Sequence, residues 1–193
     1  MSTLTRSICI SVLLFMLPAA LFSQTTSWTG AVSTNWSAAG NWTGGIPSAT
    51  KDVVIGDGSF TGAFQPAIIG ASSAKTLTIG GSAAATLTVN KTLSVAGSIT
   101  INPNGSLVNG KASISLSGNW TNAGSFSTTS TTSTIILNGI AQTIGGTATT
   151  TFRRLTIEIG STLTLGANVS ISGAGSHCII NGIINPGETP GYQ

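Results

Sequence analysis

The chain is 193 residues long with a formal net charge of +3, and only 6% of it is charged, against roughly a quarter in ordinary globular domains. Hydrophobic residues make up 40%, which excludes the low-hydropathy, high-charge composition of a disordered chain. The basic residues Lys51, Lys75, Lys91, Lys111, Arg153 and Arg154 are scattered, which excludes the basic stripe of a nucleic-acid binder.

In chain order, the first element is an export signal. Arg6 supplies a positive start, and Ile8 to Phe22 is an apolar run broken only by Ser11 and Pro18. A membrane span needs about 20 apolar residues, so this run is short for one. Ala19, Ala20 and Ser23 are small, and the layout is that of a cleavable signal peptide over residues 1–23, cut after Ser23. Cys9 lies inside the signal, ahead of where a lipoprotein cysteine would stand. Once the signal is removed, no membrane span remains and Cys178 is the sole cysteine. A secreted domain without a disulfide of its own must rest on backbone ladders and apolar stacking.

Residues 24–74 form a tryptophan-rich opening: Trp28, Asn35-Trp36 and Asn41-Trp42, then Gly44-Gly45-Ile46-Pro47 and a strand at Asp52–Ile55. Two uses are open for these rings. They plug the end of a repeat domain, whose cross-section needs covering, or with Trp120 they form an aromatic platform for sugar rings. The candidate glycan contacts are therefore Trp28, Trp36, Trp42 and Trp120.

From Lys75 onward a hydroxyl residue alternates with an aliphatic one. The pattern runs through Thr76–Ile79, Thr86–Val89, Thr92–Val95, Ser98–Ile101 and Ser113–Leu116, and returns at Leu155–Ile157, Thr162–Leu165 and Val169–Ile171. A period of two gives short strands with one apolar and one hydroxyl face. Gly80-Gly81, Asn102–Gly105, Asn109-Gly110 and Gly145-Gly146 are turn signals between them. The segment 77–79 matches 99–101, and 87–89 matches 107–108, a repeat of about 20 residues with three short sides. The expected fold is all-β: a right-handed parallel β-helix, or β-solenoid, over 75–193 with the N-terminal cap before it. The alternative is an antiparallel β-sandwich.

Chemistry is sparse. The carboxylates after the signal are Asp52, Asp57, Glu158 and Glu188, and no pair is placed for glycoside hydrolysis. His177 and Cys178 are adjacent, so on one strand they face opposite ways, and two ligands do not make a zinc site. Cys178 reads as a small core residue. Gly56-Asp57-Gly58 reads as a turn ahead of a calcium ligand. No catalytic residue, cofactor or metal is expected. Outward Thr and Ser would form hydroxyl ladders of the kind that order water, but the steps between coils are uneven in sequence.

The run Leu116-Ser117-Gly118-Asn119-Trp120-Thr121-Asn122-Ala123-Gly124-Ser125-Phe126, with Ile135–Gly139, Ala141–Gly146 and Thr151–Ile157, resembles a unit common in repeat-rich surface proteins of Gram-negative bacteria, typically exported by type IX secretion. The opening, from Trp28 to Ile55, is similar to a frequent start of such arrays. Asn185–Gly191 resembles a Pro-Gly unit that closes coils in autotransporter passengers. The resemblance covers most of residues 27–191. It implies a secreted or outer-surface location and an adhesive or structural role, with glycans or neighbouring solenoid chains as partners. Type IX cargo usually ends in a sorting domain that is not visible before Gln193, so the expectation is a fragment of a longer surface protein, or another export route. The expected function is a non-enzymatic, adhesin-like solenoid module. Behind it stand a carbohydrate-binding module, then an ice-binding face or a degenerate polysaccharide-active enzyme.

Overall fold

Alternating Thr and aliphatic residues in four-residue strands cannot bury their apolar face alone, because one such strand covers little area. Stacking identical strands in parallel solves this: each backbone pairs with the coil above and below, and the apolar faces merge into one interior column. The computed structural model, which describes residues 24–61 and 63–187, adopts this solution. The signal-like segment 1–23, Gly62, and Glu188 with the rest of the C-terminal Pro-Gly unit lie outside the described residues.

β1 (Gln24–Trp28) opens the fold, and a 3-10 turn, Ala39–Asn41, follows it. The first full coil is β2 (Lys51–Ile55), β3 (Ala67–Ile68) and β4 (Ser72–Ala74). The second is β5 (Thr76–Ile79), β6 (Ala85–Val89) and β7 (Leu93–Val95), and the third is β8 (Ile99–Ile101), β9 (Gly105–Asn109) and β10 (Ser113–Leu116). The fourth is β11 (Trp120–Asn122), β12 (Ser125–Thr128) and β13 (Thr134–Leu137). The fifth is β14 (Ala141–Gly145), β15 (Thr150–Phe152) and β16 (Arg154–Ile157). The sixth is β17 (Thr162–Leu165), β18 (Val169–Ile171) and β19 (His177–Ile180), with β20 (Ile183–Asn185) beginning another turn.

Every third strand shares a side. The longest sheet runs β1-β2-β5-β8-β11-β14-β17-β20, a second runs β19-β16-β13-β10-β7-β4, and the third side holds β12-β9-β6-β3 and then β15-β18. All of these ladders are parallel. That excludes the antiparallel sandwich and establishes a β-solenoid of about six turns. The repeat matches read from sequence are real neighbours: Leu77 pairs with Ile99 and Ile79 with Ile101, and Leu87 pairs with Leu107.

The interior is a set of vertical columns. Val53, Leu77, Ile99, Trp120, Ile144 and Leu165 form one. Ala74, Val95, Leu116, Leu137, Ile157 and Ile180 form another. The first five members of each are buried, and burying one such aliphatic side chain stabilises by about 1.5–3 kcal/mol. In the fourth and fifth coils aromatic rings fill part of the interior. Trp120 meets Phe126 and Phe152 edge-on, with ring centroids 4.9 Å and 5.4 Å away.

The corners are tied by buried amides. Asn109 accepts from the Ala112 amide and donates back to its carbonyl. Asn122 donates to Thr150 Oγ1 at 3.1 Å, and Gln142 donates to the Leu116 and Gly118 carbonyls while accepting from the Gly139 amide. Where Gly80 turns the chain with φ of 82°, a Cβ would lie 2.4 Å from the Gly105 nitrogen in the next coil, so the backbone itself is the contact surface there.

Candidate functional site

The N-terminal cap is built around three indoles. Trp28 lies on the inward side of β1, while Trp36 and Trp42 come from the loop that follows. Trp42 meets Trp28 at 4.9 Å and Trp36 at 4.8 Å, both edge to face, a favoured aromatic geometry. Two of the ring nitrogens have carbonyl partners: Trp28 Nε1 donates to the Phe64 carbonyl and Trp42 Nε1 to the Trp36 carbonyl. Asn41, fully buried, accepts from the Val32 and Ser33 amides and donates to the Ser33 and Asn35 carbonyls.

Two segments of this loop complete the coil end. Residues 34–36 pair with Ala67, extending the side that holds β3. Residues 41–43 pair along the free edge of β1, through Thr29 N–H to the Asn41 carbonyl and Thr43 N–H to the Ser27 carbonyl. Lys51 then clamps the Gly44–Pro47 turn, its ammonium donating to the Gly44 and Ile46 carbonyls.

The four candidate sugar-stacking rings are therefore interior. Trp28 is 0% exposed, Trp36 and Trp120 1%, and Trp42 6%. A ring that stacks on a sugar must present a face to solvent, and Trp28, Trp36, Trp42 and Trp120 present none. Each indole fills the cross-section of a coil, three at the end and one in the middle.

Both aspartates serve the fold. Asp52 accepts from Thr76 Oγ1 at 2.7 Å and pairs with Lys75 at 3.6 Å. Asp57 accepts from Ser27 Oγ and from the Ser59 amide, so Gly56-Asp57-Gly58 is a turn stapled to β1. Among the described residues no three His, Cys, Asp or Glu groups converge as a metal cluster. Nor is any helix among them long and apolar enough to cross a membrane.

Cys178 is placed differently from the sequence reading. It does point inward, stacked on Leu155, yet it is exposed. Among the described residues β19 is the last strand on its side. The apolar surroundings at this position push its thiol above the ordinary value by desolvation. His177 is on the opposite, outward side of β19, in register with Arg154.

The outward face of the long sheet carries an array that the sequence disguises. Thr78, Thr100 and Thr121 are register partners in adjacent coils. Beside them Ser98 accepts from the Asn119 amide, Asn119 accepts from the Thr143 amide, and Thr143 pairs with Thr164. From β2 to β17 along this sheet the steps between strands range from 21 to 24 residues, and extra residues are taken up at corners such as 129–133. Within each column successive members stand about 4.8 Å apart, the spacing between strands in any sheet. Only the corner geometry could reveal this, and the alternation alone does not contain it.

The fold defines the chain as a parallel β-solenoid with an aromatic N-terminal cap. By sequence it belongs to the family described as a domain of unknown function, DUF8693, whose model matches residues 27–139. That match spans the tryptophan cap and the first four coils, ending at the corner after β13. No curated protein and no solved structure matches the chain.

Proposed function

We propose that the chain is a non-enzymatic structural module of the bacterial exterior: a stiff, adhesin-like solenoid, exported through the signal over residues 1–23. The single observation that supports this most is the destination of the aromatic residues. All four tryptophans are spent inside the rod, leaving an outer surface of hydroxyls, amides and little charge. Such a surface offers many weak hydrogen bonds to glycans or neighbouring chains. The resemblance to type IX cargo and autotransporter passengers points the same way.

The test is tryptophan emission of residues 24–193 titrated with soluble polysaccharides. The structural reading expects blue-shifted emission indifferent to every glycan. Red-shifted emission that one glycan class quenches saturably would overturn it.

The aligned hydroxyl columns favour a second reading, contact with a flat hydroxylic surface such as an insoluble polysaccharide. Sedimentation with particulate cellulose or chitin tests it. Binding that a bulky Thr100→Tyr change abolishes, with the fold intact by circular dichroism, supports this reading, and absence of co-sedimentation ends it.

A further inference from the structure

Basic residues that are scattered in the sequence are gathered by the coil. Lys91 lies at the corner between β6 and β7, and Lys111 at the same corner one coil on, between β9 and β10. Arg153 alone makes that corner between β15 and β16. Arg154 follows at the first position of β16, on its outward side, in register with Thr134 and His177. At about 4.8 Å for each coil, Lys91 and Arg153 stand three steps, or roughly 14 Å, apart along one edge. The described corners of this edge, 69–71, 90–92, 110–112, 129–133, 153 and 172–176, hold no Asp or Glu. Asp52 lies in β2, where it pairs with Lys75, Asp57 at the corner after β2, and Glu158 past the far end of β16.

At Arg153 the edge is shaped as well as charged. The corners on either side of it along the edge, 129–133 and 172–176, are long, while its own is a single residue. A Cβ on Gly175 would come 3.8 Å from Thr131 Cβ, so the two long corners reach each other past the short one. The Arg153 guanidinium lies against Gly173, where a Cβ would overlap it, and donates to the Ala174 carbonyl at 3.1 Å. The Nε atoms of Arg153 and Arg154 are shielded from solvent and have no hydrogen-bond partner among the described residues. A donor kept from water without an acceptor is costly, and two neighbouring cations repel. An oxyanion lodged against both guanidinium groups offsets the repulsion and brings an acceptor to the orphaned donors.

We propose that this edge binds an acidic polysaccharide through its carboxylate or sulfate groups. Arg153 and Arg154 are the fixed anchor, and Lys91 and Lys111 are flexible point charges further along the polymer. The inference rests on the reading of the chain as an exterior module with glycan partners, and it names the class of glycan. A guanidinium fork matches two oxygens of a carboxylate or sulfate. A row of cations on successive coils suits a polymer better than a free ion, because linked weak contacts reinforce one another. Nucleic acid fits less well, since all four indoles are buried and none can stack on a base.

Calorimetric titration of residues 24–193 with polygalacturonate, dextran sulfate and neutral dextran tests this. Saturable binding to one or both acidic polymers and none to dextran is expected, weakening as salt is raised. The two acidic probes show whether carboxylate or sulfate is preferred. Arg153→Gln should weaken binding by about tenfold, the loss of one charge-assisted hydrogen bond. Lys75→Gln removes the same charge at another edge, and should change binding by less than about twofold. Equal weakening by the two variants overturns the proposal, because net charge alone would then decide. So does single-stranded DNA that binds more tightly than either acidic polymer, or binding that salt does not weaken. The salt series uses the unchanged protein and decides the matter even where Arg153→Gln fails to fold. Equal binding of neutral dextran, or no binding of any polymer, overturns the proposal and leaves the structural reading standing. Tryptophan emission recorded in the same titrations tests that reading separately.

Discussion

Gln142 donates its side-chain amide to the Leu116 carbonyl, 3.0 Å away in space and 26 residues earlier in the chain. The same nitrogen serves the Gly118 carbonyl, and the side-chain oxygen takes the Gly139 amide. One buried amide thus serves three backbone groups at a corner, two of them, the Gly118 carbonyl and the Gly139 amide, with no backbone partner there, while the Leu116 carbonyl also accepts from the Asn138 amide. Gln142→Ala would strand the Gly118 carbonyl and the Gly139 amide at a cost of about 1–3 kcal/mol for each that water cannot reach. Chemical denaturation should show a loss in that range with an unchanged slope. A loss below about 0.5 kcal/mol would mean that water replaces the amide without penalty.

The tryptophan cap makes a prediction about where the molecule opens. Trp36→Ala removes a fully buried indole, a change that typically costs 3–5 kcal/mol, and it also vacates the surface against which Trp42 packs. Amides of β1 and β2 should exchange with solvent much faster while those of β13 and β16 change little, since each coil contacts only its neighbours. Uniform acceleration along the chain would show that the rod unfolds as one unit, against the local cap described above.

Gly105 tests the backbone contact between coils. A Cβ there would stand 2.2 Å from the Ile79 carbonyl oxygen, closer than any real contact, and both atoms belong to backbone locked in ladders. Gly105→Ala should therefore destabilise by several kcal/mol, in the range reserved for named steric failures. Gly58→Ala, where a Cβ meets nothing within 4 Å, should be nearly silent. Equal melting temperatures for the two variants would contradict the close packing of the second and third coils.

What the sequence made legible was the repeating interior. The alternation in Thr76–Ile79 and Ser98–Ile101 announces both the strand and its inward face, and the likeness of the two segments gives the register. Less visible were the parts that depend on three dimensions. Asn109, Asn122 and Gln142 look like ordinary turn and strand-edge residues, because nothing local says that an amide will be buried. Trp28 and Trp120 have the same composition whether plugging a coil or facing a sugar, and only the space left inside a coil decides between them. The straight Thr78–Thr100–Thr121 column was hidden because uneven corners displace it in sequence number and not in space. Cys178 was assigned to the core by the correct logic of alternation. Its exposure depends on its place along the column, in the last described strand of its side, which alternation does not describe.

Cys178 yields the last prediction, and it carries a pH. Thiolate is the species that attacks an alkylating agent, and the apolar end of the solenoid disfavours that charged form, raising the thiol above its ordinary value. The rate of alkylation should therefore rise with pH along a curve displaced upward from that of a free cysteine peptide. Leu155→Ala, beneath it in the same column, should admit water and draw the curve back down. The sign extends to stability: the folded state holds the neutral thiol where the unfolded chain would already ionise. The group's contribution is thus complete below the ordinary thiol value and is lost as pH climbs through the raised one. A curve coincident with the free peptide's would show that solvent reaches Cys178 from every side and that the neighbouring isoleucines do not shield it.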